Sequence, residues 1–178
     1  MRSCLNDTVK IGIINTIKEE MRMLMNTHIS VNIMWENYLK SINEPVESSE
    51  KKFEAWAFGA DEESANALSA LVLKGKKTAT SSLHCLYADE GEALPEENAY
   101  SIILDGNDEA QCVIKTTEVN IMPFNEVTET FAKTEGEGDM TLEYWRKVHK
   151  AFFSSALKKM DKTFDENMLV VCETFEVV

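Results

Sequence analysis

The sequence predicts an α+β domain in which a mostly antiparallel sheet curls toward a barrel and helices pack around it. Three observations predict it. Helical and strand periodicities follow one another in a mixed order, neither a strict β-α alternation nor an all-β run. Asp105-Gly106, between two apolar stretches, is a hairpin signal and marks antiparallel pairing in mid-chain. The 178 residues, with only seven glycines and three prolines, suit one globular domain with an extra arm better than two full-sized domains.

Residues 1–33 stand apart at the start of the chain. They carry four basic and three acidic side chains, net +1, which leaves −14 for the rest. Met21, Met23 and Met25 crowd this stretch, and Ile11-Gly12-Ile13-Ile14 is too short for a secretory core. Residues 1–33 are therefore expected to form an arm or upstream extension, and residues 34–178 the domain. Over 34–42, Trp35, Tyr38, Leu39 and Ile42 fall at helical spacing before Pro45 stops the helix. A strand is expected over 53–58, closed by Gly59. A helix follows over 61–74: Asp61 can cap it, Glu62 and Glu63 suit its first turn, and Ala65, Leu68, Leu71 and Val72 line one face up to Gly75.

The middle of the chain is β-rich, with strands over 100–104 and 110–119 joined by the Asp105-Gly106 turn. Pro123-Phe124 closes that unit, and 125–131 suits a short helix. A long amphipathic helix is expected over 141–160, with Leu142, Trp145, His149, Phe152, Phe153, Ala156 and Met160 on one stripe. Of these, Leu142, Phe152, Phe153 and Ala156 are assigned to the core. Residues 168–177 read as a final strand.

Composition narrows the partners. With 31 acidic against 18 basic residues the formal charge is −13, which opposes the broad basic footprint of tight binding to a nucleic-acid backbone. A nucleotide-sized ligand in a locally basic pocket stays possible. No stretch approaches the roughly 20 apolar residues of a membrane span, so no membrane partner is expected. Cys4, Cys85, Cys112 and Cys172 are scattered without a CxxC pair. Reduced thiols in the cytoplasm are the expectation, with no metal and no cofactor.

Three constellations could carry chemistry. The first is Gly75-Lys76-Lys77-Thr78-Ala79-Thr80, which lacks the upstream glycine and following helix of a phosphate loop. Its lysines are either a solvated helix end or a site. A Lys77 whose pKa is lowered by partial burial could deprotonate Thr80, provided the chain turns there; a regular strand would put the two on opposite faces. The second is Glu135-Gly136-Glu137-Gly138-Asp139, either a solvated loop that caps the next helix or the source of a carboxylate for a buried lysine. A metal site using His149 lacks compact ligand spacing. The third is Trp145 with His149, four apart on one helical face, either core or a stacking platform for a base.

Together, Trp56-Ala57-Phe58-Gly59, the segment Leu71 to Thr80, and the acidic loop with Trp145, His149 and Phe153 resemble the ASCH (activating signal cointegrator homology) domain family, from about Trp35 to Val178. The resemblance implies a β-barrel like the PUA (pseudouridine synthase and archaeosine transglycosylase) domain with surrounding helices, and RNA or nucleoside binding in a cleft beside it. Some small bacterial members are amidohydrolases of N(4)-acetylcytidine that use a lysine, a threonine three residues later and a distant glutamate. On that pattern Lys77, Thr80 and Glu137 would be catalytic, with Glu135 the rival of Glu137 because the glycine-spaced loop is longer here. Lys76, Glu135, Asp139, Trp145 and His149 would line the ligand. Asn98 stands where members often carry glycine before a strand, and Asn tolerates a left-handed backbone. Three functions stay open: a hydrolase of a modified nucleoside, a non-catalytic RNA-binding regulatory module with Lys76 and Lys77 on a phosphate, and a ribonuclease using the same cleft.

Overall fold

Ala79-Thr80-Ser81-Ser82-Leu83, too polar and small to announce itself as a strand, pairs along its whole length with the final strand. It completes a five-stranded mixed sheet in the computed structural model, which describes residues 28–178. The expected arm lies outside the described residues as far as position 27. The first helix, α1 (Ile29–Ser41), begins ahead of Met34 because the His28 ring accepts from the Ser30 N–H at 3.3 Å. Val31, Trp35 and Leu39 then recur every four residues on its buried face.

The remaining elements are β1 (Phe53–Ala57), α2 (Glu62–Leu73), β2 (Ala79–Leu83), α3 (His84–Glu90), β3 (Tyr100–Leu104), β4 (Ala110–Pro123), α4 (Glu129–Glu135), α5 (Leu142–Lys158) and β5 (Leu169–Val177). The strand order is β1-β3-β4-β5-β2. β1 and β3 run parallel, and the other three pairings are antiparallel, as the hairpin signal predicted for β3 and β4. Asp61 caps α2 in a capping box with Ser64, and Asn98 adopts a left-handed φ of 69°. The short helix expected over 125–131 is shifted: Phe124–Glu126 forms a 3-10 turn, and α4 starts later because the Thr128 hydroxyl accepts from the Phe131 N–H at 3.2 Å.

Alternation along the strands sorts side chains onto two faces. On one, Leu83, Val170 and Cys172 pack under α4 and α5 against Phe124, Trp145, Phe153 and Leu157. Farther along that face, Ile102 and Val113 meet α1 through Val31, Trp35 and Leu39. On the other, Ile103, Cys112, Ile114 and Phe175 pack with Phe58 and Val72 of the α2 unit. The register puts Glu54, Thr80, Ser82 and Glu173 on this second face too. Glu54 lies on one edge strand and Tyr87 just beyond the other, four strand spacings or about 19 Å apart in a flat sheet. The sheet is not flat, however: the Phe58 ring, just past β1, lies 6.2 Å from the Phe175 ring on β5, three strands along. The sheet is a half-barrel curled toward this inner face.

Two assignments on α5 change. Phe152 is 41% exposed, not core, because it sits at the edge of the stripe centred on His149 and Phe153; Leu142 and Ala156 are half-buried. Trp145, His149, Phe153 and Leu157, at strict four-residue spacing, form the buried line. Among the described residues no helix is long and apolar enough to cross a membrane. Truncating fully buried Phe153 to alanine should cost about 3–5 kcal/mol in urea unfolding, against about 1 kcal/mol or less for Phe152→Ala. Equal costs would mean that α5 is seated by a different face.

Candidate functional site

The turn after α2 aims Lys77 inward. Gly75 takes a φ of +65°, and the N–H groups of Lys76 and Lys77 both return to the Leu71 carbonyl, at 2.9 and 3.2 Å. The next residue is stitched on both sides: the Thr78 N–H donates to the Thr134 carbonyl and the Thr78 carbonyl accepts from the Phe175 N–H, each at 2.9 Å. This fixes the end of α4 beside the lysine segment. α4 then stops at Gly136 with a φ of +68°, where any Cβ would sit 2.1 Å from the Lys76 carbonyl oxygen. Glycine is required there twice over, by the left-handed backbone and by the contact. Asp139 and Thr141 finish the loop. Asp139 Oδ1 accepts from the Thr141 N–H at 3.0 Å, and the Thr141 hydroxyl accepts from the Tyr144 N–H at 3.1 Å to cap α5.

Lys77 donates from Nζ to Glu135 Oε2 at 2.9 Å and to Glu137 Oε1 at 2.6 Å. Lys77 and Glu135 are each 1% exposed, and the Glu137 side chain 15%. The other oxygen of Glu135 accepts from Trp145 Nε1–H at 2.7 Å and from the Ser81 hydroxyl. His149 stacks on Trp145 with ring centroids 4.3 Å apart. Its Nδ1 is 3.0 Å from the Trp145 carbonyl, which can only accept, so Nδ1 carries a proton. His149 Nε2, 3.5 Å from Glu135 Oε1, is then protonated only in the imidazolium.

Burial is the largest single influence on Lys77 and on Glu135, and in each it opposes the charge. The opposite charges outweigh it. Glu135 and Glu137 together hold Lys77 above the ordinary lysine value, while Lys77, His149, Ser81 and Trp145 hold Glu135 below the ordinary glutamate value. The expectation of a lysine softened by partial burial is therefore overturned: Lys77 is a fixed ammonium at neutral pH, because two carboxylates reach it where the sequence suggested one.

Thr80 is separate from this cluster. It makes no hydrogen bond to Lys77, Glu135 or Glu137 among the described residues, because β2 is regular and its side chains alternate. Ala79, Ser81 and Leu83 are buried, while half-buried Thr80 and Ser82 turn to the inner face. There Thr80 lies directly opposite Glu173, and the Ser82 and Tyr87 hydroxyls meet at 2.7 Å. Burial pushes the Glu173 carboxyl up to about 7, the Thr116 hydroxyl lowers it in part and the charge of Glu54 adds to the rise. Trp145, 3% exposed and packed on Phe124 at 5.0 Å, is core and offers no open stacking surface. Lys76 and Asp139 are exposed. Ser81 and Glu173 went unnoticed in the sequence. The usable signals were the four-residue spacing of Ser81 from Lys77 and a carboxylate interrupting the apolar run Val170-Val171-Cys172. Among the described residues no three His, Cys, Asp or Glu side chains converge as a metal ion would need.

A family model described as the ASCH domain matches residues 54–178. Among solved structures, an ASCH domain from Lactobacillus crispatus is 36% identical with a TM-score of 0.78, covering 85% of this chain and 96% of that one. A protein from Enterococcus faecalis is 40% identical with a TM-score of 0.75, covering 84% of this chain and 88% of that one. No curated protein matches the chain.

The buried pair makes two tests. Lys77→Met strands a fully buried carboxylate and should cost about 3–5 kcal/mol; adding Glu135→Leu should recover most of it, as a double-mutant cycle in urea would measure. A lone Lys77→Met that unfolds like wild type would show that the pair contributes nothing. The pair also fixes a pH window. Glu135, with its pKa lowered, contributes stability that is full above the ordinary glutamate value of 4.5 and is lost as pH falls through the lowered value. Lys77, with its pKa raised, contributes stability that is full below the ordinary lysine value of 10.5 and is lost as pH rises through the raised one. The contributions of Glu135 and Lys77 themselves to the difference in unfolding free energy between wild type and the double variant should therefore change only below about pH 5 and above about pH 10.

Proposed function

The chain belongs to the ASCH domain family, and from that premise we propose that it binds a phosphate-free nucleoside on the inner face of its half-barrel and hydrolyses an exocyclic amide such as that of N(4)-acetylcytidine, with Thr80 as nucleophile. The observation that carries this proposal is the occupancy of Lys77. Its ammonium is buried and held by two carboxylates, so it has no positive charge to spare for a phosphate. Of the two lysines in the motif only exposed Lys76 is free to meet one, on a protein of net charge −13. RNA binding draws most of its affinity from several such contacts, whereas a free nucleoside needs none.

The inner face supplies what an uncharged ligand uses instead. Thr80, Ser82, Tyr87 and Glu173 offer hydroxyl and carboxyl groups along a half-buried surface. Lys77 serves as a fixed anchor: its Nζ lies 5.1 Å from the Phe58 ring of the inner-face cluster, with its charge already matched by two carboxylates. Glu135 and Glu137 hold it in place. Among the described residues Cys85, Cys112 and Cys172 are free thiols, which favours a reducing, cytoplasmic setting.

Incubation with N(4)-acetylcytidine should yield cytidine and acetate, resolved by liquid chromatography. Thr80→Ala should abolish that turnover with little change in melting temperature, since Thr80 is half-buried and outside the ion-pair network. RNA oligonucleotides should show weak binding at 50 and 200 mM salt alike. Strong RNA binding that weakens steeply with salt and is lost in Lys76→Ala, with no nucleoside turnover, would replace the hydrolase with an RNA-binding module.

A further inference from the structure

A threonine hydroxyl attacks an amide at neutral pH only when a nearby group accepts its proton. Lys77 is not that group, being a fixed ammonium whose N–H bonds are aimed at Glu135 and Glu137 and not at Thr80. The acceptor must share the inner face. Thr80 and Glu173 are direct partners in the β2–β5 ladder. Such partners stand on one face with Cβ atoms about 4.5–5.5 Å apart, so a rotation of the Glu173 side chain, which now bonds the Thr116 hydroxyl, brings its carboxylate to a Thr80 hydroxyl it does not bond in this structure. β5 lies between β4 and β2, so Glu173 is flanked by strands on both sides and is half-buried. Among the described residues no cation acts on it.

We propose that Glu173 is the catalytic base and acid that works on Thr80, a role that rests on the amide-hydrolase reading above. Glu173 takes the proton of Thr80 Oγ as that oxygen bonds to the amide carbonyl carbon. It returns the proton to the exocyclic nitrogen as the C–N bond breaks, which frees the amine and leaves an acyl ester on Thr80. A water molecule then gives a proton to Glu173 and its oxygen to the acyl carbon. The ester C–O bond breaks, Thr80 regains the proton and the carboxylic acid departs. One water is consumed for each amine and acid formed, and no electrons are exchanged.

The surroundings of Glu173 suit a group that must both take and return a proton. Burial brings its carboxyl up to about 7, so acid and base forms coexist at neutral pH. From β1 the charge of Glu54 raises it, and from β4 the Thr116 hydroxyl lowers it. From α3, Tyr87 faces the same charges, with Glu92 beyond it, and its own pKa is raised above the ordinary tyrosine value. On β5 itself, burial lifts Cys172 to about 12. Tyr87 and Cys172 therefore stay neutral from pH 5 to 9, which leaves Glu173 as the group of these three that titrates in that range.

The test separates this pairing from the choice of substrate. p-Nitrophenyl acetate, a generic acyl donor, should acetylate Thr80 in the full chain, as located by peptide mass spectrometry, at a rate that rises through a midpoint near pH 7. Glu173→Gln should slow that labelling by about 100-fold or more and flatten the profile, while Glu173→Asp keeps a midpoint. Labelling of Thr80 at the wild-type rate in Glu173→Gln, or no labelling of Thr80 in wild type, would overturn the proposal. A carbon-13 titration of the Glu173 carboxyl in the wild-type protein needs no variant; a midpoint near the ordinary 4.5 would overturn it as well. Labelling that depends on Glu173, without turnover of N(4)-acetylcytidine, would support the pairing and refute the nucleoside substrate. Turnover that survives Glu173→Gln would do the reverse.

Discussion

One buried ammonium organises this end of the molecule. Lys77 alone would be far too costly to desolvate, and Glu135 alone likewise. Each becomes tolerable only if the other is placed within a few tenths of an ångström, and that requirement propagates outward. The chain must wrap the end of α2 to aim Lys77 inward, α4 must stop at Gly136 to present Glu135, and α5 must bring Trp145 and His149 to the remaining carboxylate oxygen. Ser81 supplies the contact from β2. Four elements, in two consecutive pairs separated in the chain, are thus keyed to one carboxylate. An apolar core of the same volume would hold them as firmly but would specify their mutual register less sharply.

The parity of β2 divides the labour. Lys77 and Ser81, four residues apart, reach one carboxylate, and Thr80 and Ser82 turn away to the inner face. The first set is sealed, and the second is half-buried on the inner face. A slip of one residue in the pairing with β5 would exchange the two sets, burying Thr80 and moving Ser81 to the inner face. Register is guarded at the lysine end by the backbone bonds of Thr78 to both α4 and β5.

What could be read from the sequence was local in origin. Asp61 and Ser64 are three apart, Asn98 needs only its own side chain to accept a left-handed φ, and the four-residue line through Trp145, His149 and Phe153 is written along one helix. The failures were those of distance. β2 carries little apolar pattern, and only its pairing with β5 makes it a strand. Phe152 looked like core until the packing of α5 fixed which side of the stripe faced the sheet. The glycine-spaced acidic loop was singled out as a source of carboxylates, with Glu137 preferred over Glu135; in the structure both bind Lys77, Glu135 from full burial. The direction of the Lys77 shift depended on both, and so could not follow from the residues around Lys77 alone.

The strand order also sets a timetable. β2 has a single neighbour in the sheet, β5, and about ninety residues separate the two in the chain. On the ribosome β1, β3 and β4 can associate early, since their pairings need nothing made later. β2 meanwhile waits with its backbone donors and acceptors unpaired, beside a β4 whose second edge is equally bare. Strands left in that state are open to wrong partners, and pairings of such long separation are slow to form. Insertion of β5 closes both edges in one step and, through the Phe175 N–H, pins the segment that carries Lys77. Nascent chains stalled before residue 169 would therefore hold a partial sheet whose two faces have not yet been told apart, and the face that bears Thr80 would come into being with the last strand.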